Sequence, residues 1–528
     1  MDTFAKDRLP PRDQWPRLHF DLPELQYPAR LNCATVLLDD AVAEGHGDRA
    51  AILTSAGRIP YRELLARANR IAHVLGAAGV VPGSRVLMRG YNGPELYAAW
   101  LAVMKVGAIA VTTMPMLRAP ELAAIIDKAR PAFALADQRL LAELEAVALL
   151  GGVRTVIAWG NGDLEGRMAA ASDRFDNADT AADDVCLLAF TSGTTGQPKA
   201  CMHFHRDVLA MADVVGRHLL KTSPDDVYAG SPPLGFTFGL GALLVFPLRF
   251  RAATVPIEAP SPAAVLDAVE KHGVTCLFTA PIAYRALAGE LAGRNLSSLK
   301  RCVSAGEFLP KAVSDLWFEK TGQRLIDGIG ATEMIHIFIS ASGDAIRPGS
   351  TGKPLPGYRA CVLDEEGREL PRGSTGLLAV TGPTGCRYLD DLRQRDYVKG
   401  GWNVTGDVYR VDDDGYFWFV SRADDMIVSA GYNIAGPEVE WALLAHPAVR
   451  ECAVIGAADP GRGTVVKACI VLAPGRAGDD ALAKELQDFV KNRIAPYKYP
   501  RIVEFLDALP KTATGKLSRR ALRRGQTP

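Results

Sequence analysis

The chain has 528 residues, and its 60 basic and 60 acidic side chains cancel, so it offers neither nucleic acid nor an anionic membrane an electrostatic footing. With 48% hydrophobic residues it is long enough for a large core and two or more domains. Nine cysteines lie scattered without a CxxC pair, and the N-terminus lacks an apolar h-region; the reading is a soluble cytoplasmic protein without a structural zinc site, disulfide framework, nucleic-acid partner or membrane partner.

Residues 1 to about 30 are dotted with prolines and read as surface-wrapping chain. From Tyr61, amphipathic runs near 61–79, 93–107, 118–130 and 138–149 alternate with short apolar runs at 86–88, 108–111, 132–135 and 156–158. That alternation predicts helices covering a mostly parallel sheet. It resumes with helices near 263–272, 282–292 and 311–320 and strands near 274–279, 300–305 and 323–327. Between about 350 and 420, short segments broken by glycine predict a small antiparallel β unit. The last hundred residues read as a compact α+β cap, with helices near 437–446 and 480–494 and strands near 450–456, 465–472 and 501–505. Arg519 to Arg524 reads as a solvated helix face.

One stretch organises the chain. Thr191-Ser192-Gly193-Thr194-Thr195-Gly196-Gln197-Pro198-Lys199 follows the apolar run 185–190 and precedes an expected helix at 206–220. Its two glycines permit tight turns, its hydroxyls offer hydrogen bonds and Lys199 adds positive charge, a combination suited to a polyphosphate. The spacing fails the Walker pattern, because Gln-Pro-Lys follows Gly196. A second stretch, Asp327-Gly328-Ile329-Gly330-Ala331-Thr332-Glu333, follows an expected strand. Loops at strand carboxyl ends are where open α/β sheets place ligands, and Thr332 and Glu333 offer oxygens to Mg²⁺. His203 and His205 stand two apart, but no third ligand shares a metal-site spacing with them.

These strings resemble the acyl-adenylate-forming superfamily of acyl-CoA synthetases, peptide-synthetase adenylation domains and luciferases, and the resemblance covers nearly the whole chain. It implies an α/β fold, with a large N-terminal domain at 1–423 that includes the β-rich part near 350–420, and a small mobile C-terminal cap at 424–528. It implies that Asp327 accepts from the adenine amino group, that Ile329 stands where an aromatic residue usually stacks on adenine, and that Thr332 and Glu333 hold Mg²⁺ and act catalytically. Gly401-Trp-Asn-Val-Thr-Gly-Asp407 resembles the ribose motif, with Asp407 receiving the vicinal hydroxyls and Arg422 as a second contact. Asp424 falls at the hinge, and Gly431 and Tyr432 fall on the pantetheine path. Pro510-Lys-Thr-Ala-Thr-Gly-Lys516 matches the C-terminal motif, making Lys516 the catalytic lysine that reaches the carboxylate and the α-phosphate. ATP, Mg²⁺ and coenzyme A are the implied cofactors.

The string around Thr332-Glu333-Met-Ile335-His336-Ile-Phe338 looks like the benzoate-CoA ligase branch, and Pro232-Pro-Leu-Gly-Phe236-Thr-Phe238-Gly239-Leu240 looks like 2-aminobenzoate-CoA ligases. By this resemblance Phe236, Phe238, Gly239, Ala305, Gly306, Ile335 and His336 line a short aromatic pocket suited to a flat ring. His336 is open to two readings, a hydrogen bond to an ortho substituent or a packed core histidine. The expected partners are a small aromatic carboxylic acid, ATP and CoA. Transfer to a carrier protein, another aryl or short-chain acid, and assembly as a homodimer stay open.

Overall fold

Short apolar strands build two sheets between Ala50 and Pro354. The computed structural model describes residues 1–148, 152–191, 198–429, 432–459, 463–494, 496–512 and 516–524. A six-stranded sheet runs in the order Thr155–Trp159, Phe133–Asp137, Arg85–Arg89, Ile109–Thr113, Val185–Thr191 and Lys199–Phe204. Its first five strands are parallel, and the last pairs antiparallel with Val185–Thr191. The strand Arg85–Arg89 is buried at every position, as expected for a parallel strand covered on both faces. A nine-stranded sheet places Leu325–Gly330, Arg301–Ala305, Cys276–Thr279, Val227–Gly230, Ala253–Val255 and Ala50–Thr54 side by side. These central strands are parallel, and antiparallel strands close both edges.

Helix ends follow local chemistry. Ser261 accepts from the amide of Ala264 to cap the helix Pro262–His272, and Gly273 closes it in the left-handed region at φ 63°. Gly322, at φ 72°, closes the helix Lys311–Thr321 in the same way. The expected helix at 206–220 is an α-helix at His205–Met211 that widens into a π-helix at Ala212–Leu219. The first thirty residues contain only short 3₁₀ turns, yet Ala5, Trp15 and Leu25 are buried. That segment is therefore an anchored strap, and the apolar residues between its prolines explain why.

The chain divides into two units, residues 1–360 with 380–403, and residues 361–379 with 404–528. In the second unit the strand Trp402–Val411 pairs antiparallel with Phe417–Arg422. Its three-stranded sheet orders Val449–Asp459, Gly463–Leu472 and Ile502–Phe505, and Ile427, Val439, Leu443, Val454, Ile470, Leu486 and Val490 form a core. Arg519 and Arg523 of the terminal helix pair with Asp425, and Arg519 also reaches Glu440 at 2.5 Å. This face, read from sequence as solvated, is thus engaged in ion pairs. Among the described residues no helix is long and apolar enough to cross a membrane.

Candidate active site

In the first unit the chemistry gathers where sheet strands end. Thr191 and Lys199 are cross-strand partners, so the phosphate stretch is the connection of a hairpin. Ser192, Gly193, Thr194, Thr195 and Gly196 lie outside the described residues. Lys199 Nζ donates to Tyr388 Oη at 2.6 Å and meets Glu333 Oε1 at 3.2 Å, while the Tyr388 hydroxyl donates to the same Oε1. Burial, reinforced by the neighbouring Glu333 carboxylate, pushes the Tyr388 phenol far above its ordinary value. It therefore stays protonated and serves as a donor to Glu333. Both donors use Oε1, and Oε2 receives no hydrogen bond from a described residue.

The turn carrying Glu333 is held at two carbonyls. His203 Nε2 lies 2.8 Å from Thr332 O, and Thr384 Oγ1 donates to Met334 O at 2.9 Å. Ile335, immediately after the turn, sits at φ 63°, an outlier for a β-branched residue. Such strain, about 1–3 kcal/mol, persists where the surroundings over-determine the backbone, and it clusters at functional sites. Asp327 lies on the neighbouring strand Leu325–Gly330, where burial raises its carboxyl to about 7 against the hydrogen bonds from Gly328 and Thr351. Gly328 is packed so closely that a Cβ there would meet Ile337 at 2.7 Å. Ile329 is half-buried on the same strand.

His336 is the second of the two readings the sequence left open. Its Nε2 lies 3.3 Å from Phe238 O, its ring packs edge-on against Phe246 with centroids 4.6 Å apart, and burial lowers its pKa to about 3. It is a neutral, packed imidazole. Phe238 stands 5.6 Å from both His336 and Phe278, so an aromatic cluster joins the 232–240 segment to the end of the glutamate turn. Gly241 allows this approach, since a Cβ there would lie 2.5 Å from the His336 ring. Phe236 is half-buried against a different cluster, the one that includes Met114 and Leu117. Gly239 lies so near Pro233 that a Cβ would fall 2.2 Å from its carbonyl oxygen. Ala305 ends a buried strand, and Gly306 turns the chain at φ 91°.

Three contributors escaped the sequence reading. Asn92 receives the Leu234 amide on Oδ1 at 2.9 Å and donates to Pro232 O at 3.0 Å, fixing the 232–240 segment from a distant helix start. Tyr388 and Phe278 lie in stretches with no motif; Tyr388 is marked by its polar partners Lys199 and Glu333, and Phe278 by its ring contacts with Tyr228, Phe238 and Phe246.

The second unit holds the remaining residues. Asp407 and Arg422 face each other across a strand pair with Oδ1 and Nη1 2.9 Å apart, and Arg422 Nε stands 3.5 Å from Asp424. Burial raises the Asp407 carboxyl and Arg422 counteracts it. Asp424 is exposed on the 3₁₀ turn Ala423–Asp425. Lys516 is exposed; its amide donates to Thr512 Oγ1 at 3.2 Å and its carbonyl accepts from the Thr512 amide at 2.7 Å. Gly431, and the side chain of Tyr432, lie outside the described residues.

The AMP-binding enzyme model matches residues 39–387, and the model of its C-terminal domain matches 438–516. The chain belongs to the AMP-binding enzyme family. It is 36% identical over 520 residues to the benzoate–CoA ligase of Thauera aromatica, covering 95% of this chain and 97% of that protein. It is 34% identical over 544 residues to the mitochondrial acyl-coenzyme A synthetase ACSM3 of Mus musculus, covering 99% and 90%. Among solved structures, the anthranilate CoA ligase AuaEII in complex with anthranoyl-AMP matches with a TM-score of 0.91 and 33% identity, covering 96% of this chain and 99% of that one.

Proposed function

We propose that this AMP-forming acyl-CoA synthetase activates an aromatic carboxylic acid of the benzoate or 2-aminobenzoate kind. A carboxylate oxygen attacks the α-phosphorus of ATP and pyrophosphate leaves; the CoA thiolate then attacks the acyl carbon and AMP departs with the C–O bond electrons. The observation that carries the reading is the continuity of the Glu333 turn with the aromatic cluster: His336, three residues beyond Glu333, packs against Phe238 and Phe246. The residues that handle phosphate and those that face a ring thus belong to one segment. Relatives named as benzoate and anthranilate ligases support the aromatic class.

Each residue has a task in this reading. Lys199 sets positive charge beside the phosphates. Thr332 and the Oε2 atom of Glu333 supply hard oxygens for Mg²⁺, which would neutralise phosphate charge; this fits a carboxylate whose other oxygen already takes both donors. Asp327 accepts from the adenine amino group, and Asp407, steadied by Arg422, accepts from the ribose hydroxyls. Phe236, Phe238, Gly239, Ala305, Gly306, Ile335 and His336 face the acid. Because His336 is neutral and its Nε2 is directed to Phe238 O, it shapes the pocket without adding charge.

Lys516 meets the approach of two anions, where one charge contact at 4 Å with an effective dielectric near 20 is about 4 kcal/mol before desolvation. The residues from Asp424 onward move as a cap, first presenting Lys516 and then the 431–432 segment to the thiol. Isotope exchange between pyrophosphate and ATP, run without CoA, tests the first half-reaction. Exchange that depends on benzoate or 2-aminobenzoate is expected; exchange with straight-chain acids and none with aryl acids overturns the substrate class.

A further inference from the structure

Outside the reaction centre, three potential metal ligands meet in the interior of the first unit. Cys33 Sγ, Cys186 Sγ and a ring nitrogen of His205 lie within 4.8 Å of one another, and all three residues are buried. His205 Nδ1 stands 3.2 Å from Cys33 Sγ, and the Cys33 amide lies 3.2 Å from the same nitrogen. Among the described residues, no other group of His, Cys, Asp and Glu ligand atoms converges in this way. Spacing indicated no structural zinc site, since Cys33 stands at a helix start just after the N-terminal strap while Cys186 and His205 lie at the base of the phosphate hairpin.

The backbone departs from regularity where the cluster needs it. Val185 pairs with Phe204 and Leu187 with His203, so Cys186 is an extra residue, a bulge in the strand. Bulges re-aim a side chain, and here the re-aimed thiol meets a thiol and an imidazole. We propose that Cys33, Cys186 and His205 form a buried zinc site that ties the helix start just after the N-terminal strap to the base of the phosphate hairpin.

The donor set selects the ion. Thiolate and imidazole bind Zn²⁺ at about 2.3 and 2.0–2.1 Å, which places neighbouring ligand atoms about 3.5–3.8 Å apart around a tetrahedron; the three atoms here lie within 4.8 Å of one another, and the 3.2 Å between His205 Nδ1 and Cys33 Sγ opens by a few tenths of an ångström when the ion enters. Binding requires both thiols to lose their protons, and two thiolates with a neutral imidazole and a divalent cation sum to zero charge. Neutrality matters in a buried site, where any net charge is costly. Because all three ligands are buried, the ion enters during folding and native protein does not surrender it to a chelator.

The test uses full-length protein, expressed in zinc-supplemented medium without a metal-affinity tag and desalted against EDTA, with zinc measured by mass spectrometry. About one zinc per chain is expected in the wild type and in Cys361→Ser, whose thiol lies elsewhere. A drop of at least about tenfold is expected in Cys33→Ser and Cys186→Ser. Wild type lacking zinc, or zinc retained equally in both variants, overturns the proposal. Should those variants not fold, wild-type protein grown in cobalt decides: sulfur-to-cobalt charge-transfer absorption with intense tetrahedral d–d bands supports the site, and their absence refutes it. Neither readout depends on the ligase reading.

Discussion

At the scale of single residues, Glu333 is the hub of the first unit, with Lys199 and Tyr388 on one oxygen and no described residue donating to the other. Hydrogen bonds to charged groups contribute about 1.5–3 kcal/mol. Tyr388→Phe, which removes the donor and keeps the ring, is therefore expected to lower kcat/KM for ATP by about 10–100-fold while the fold persists by circular dichroism. An unchanged kcat/KM would show that the phenol has no part in placing Glu333. Asp327 gives a pH signature. Its folded carboxyl is raised to about 7 by burial, so the folded state holds this proton more tightly than the unfolded chain, whose Asp titrates near 4. The stabilisation is full below about 4 and is lost as pH rises through about 7. An adenine N–H prefers the carboxylate form, so adenosine should bind more tightly as pH rises from 6 to 8. Calorimetry with adenosine, which does not ionise in that range, is expected to show this trend in the wild type and a flat profile in Asp327→Asn. A flat wild-type profile would remove Asp327 from the adenine site.

At the scale of elements, the aromatic wall depends on close backbone approach. Asn92 clamps Pro232 and Leu234, and Gly239 lies where a Cβ would fall 2.2 Å from the Pro233 carbonyl oxygen. Gly239→Ala must push the 232–240 segment outward, with a cost of about 1–3 kcal/mol typical of overpacking. KM for the aromatic acid is expected to rise at least about tenfold while KM for ATP stays within about twofold; equal changes in both would mean the segment does not face the acid. The alternating helices and strands from Tyr61 to Trp159 were legible because each repeats one apolar period between glycine or charged breaks. The short strands Val227–Gly230, Ala253–Val255 and Ile337–Ser340 were not, because three or four residues carry no period. The candidate site follows the same rule: Lys199, Asp327 and Glu333 stand in motifs, while Asn92, Tyr388 and the Ile335 strain depend on contacts between distant segments.

At the scale of the whole molecule, the account rests on a division of labour between the two halves of the reaction. With Lys516 serving adenylation as proposed, Lys516→Ala should slow pyrophosphate release by about 10²–10³-fold, as for a lost electrostatic stabiliser, and leave CoA capture of pre-formed aryl-AMP within about threefold. Equal losses in both steps would contradict the assignment. The most direct single measurement is CoA-thioester formation, followed by mass, from ATP, Mg²⁺ and CoA with benzoate, 2-aminobenzoate, halo- and hydroxybenzoates and short aliphatic acids supplied separately. The account predicts thioester from benzoate or 2-aminobenzoate at a rate exceeding that of any aliphatic acid by at least about tenfold. Thioester from aliphatic acids alone, or AMP and pyrophosphate without thioester, would contradict it.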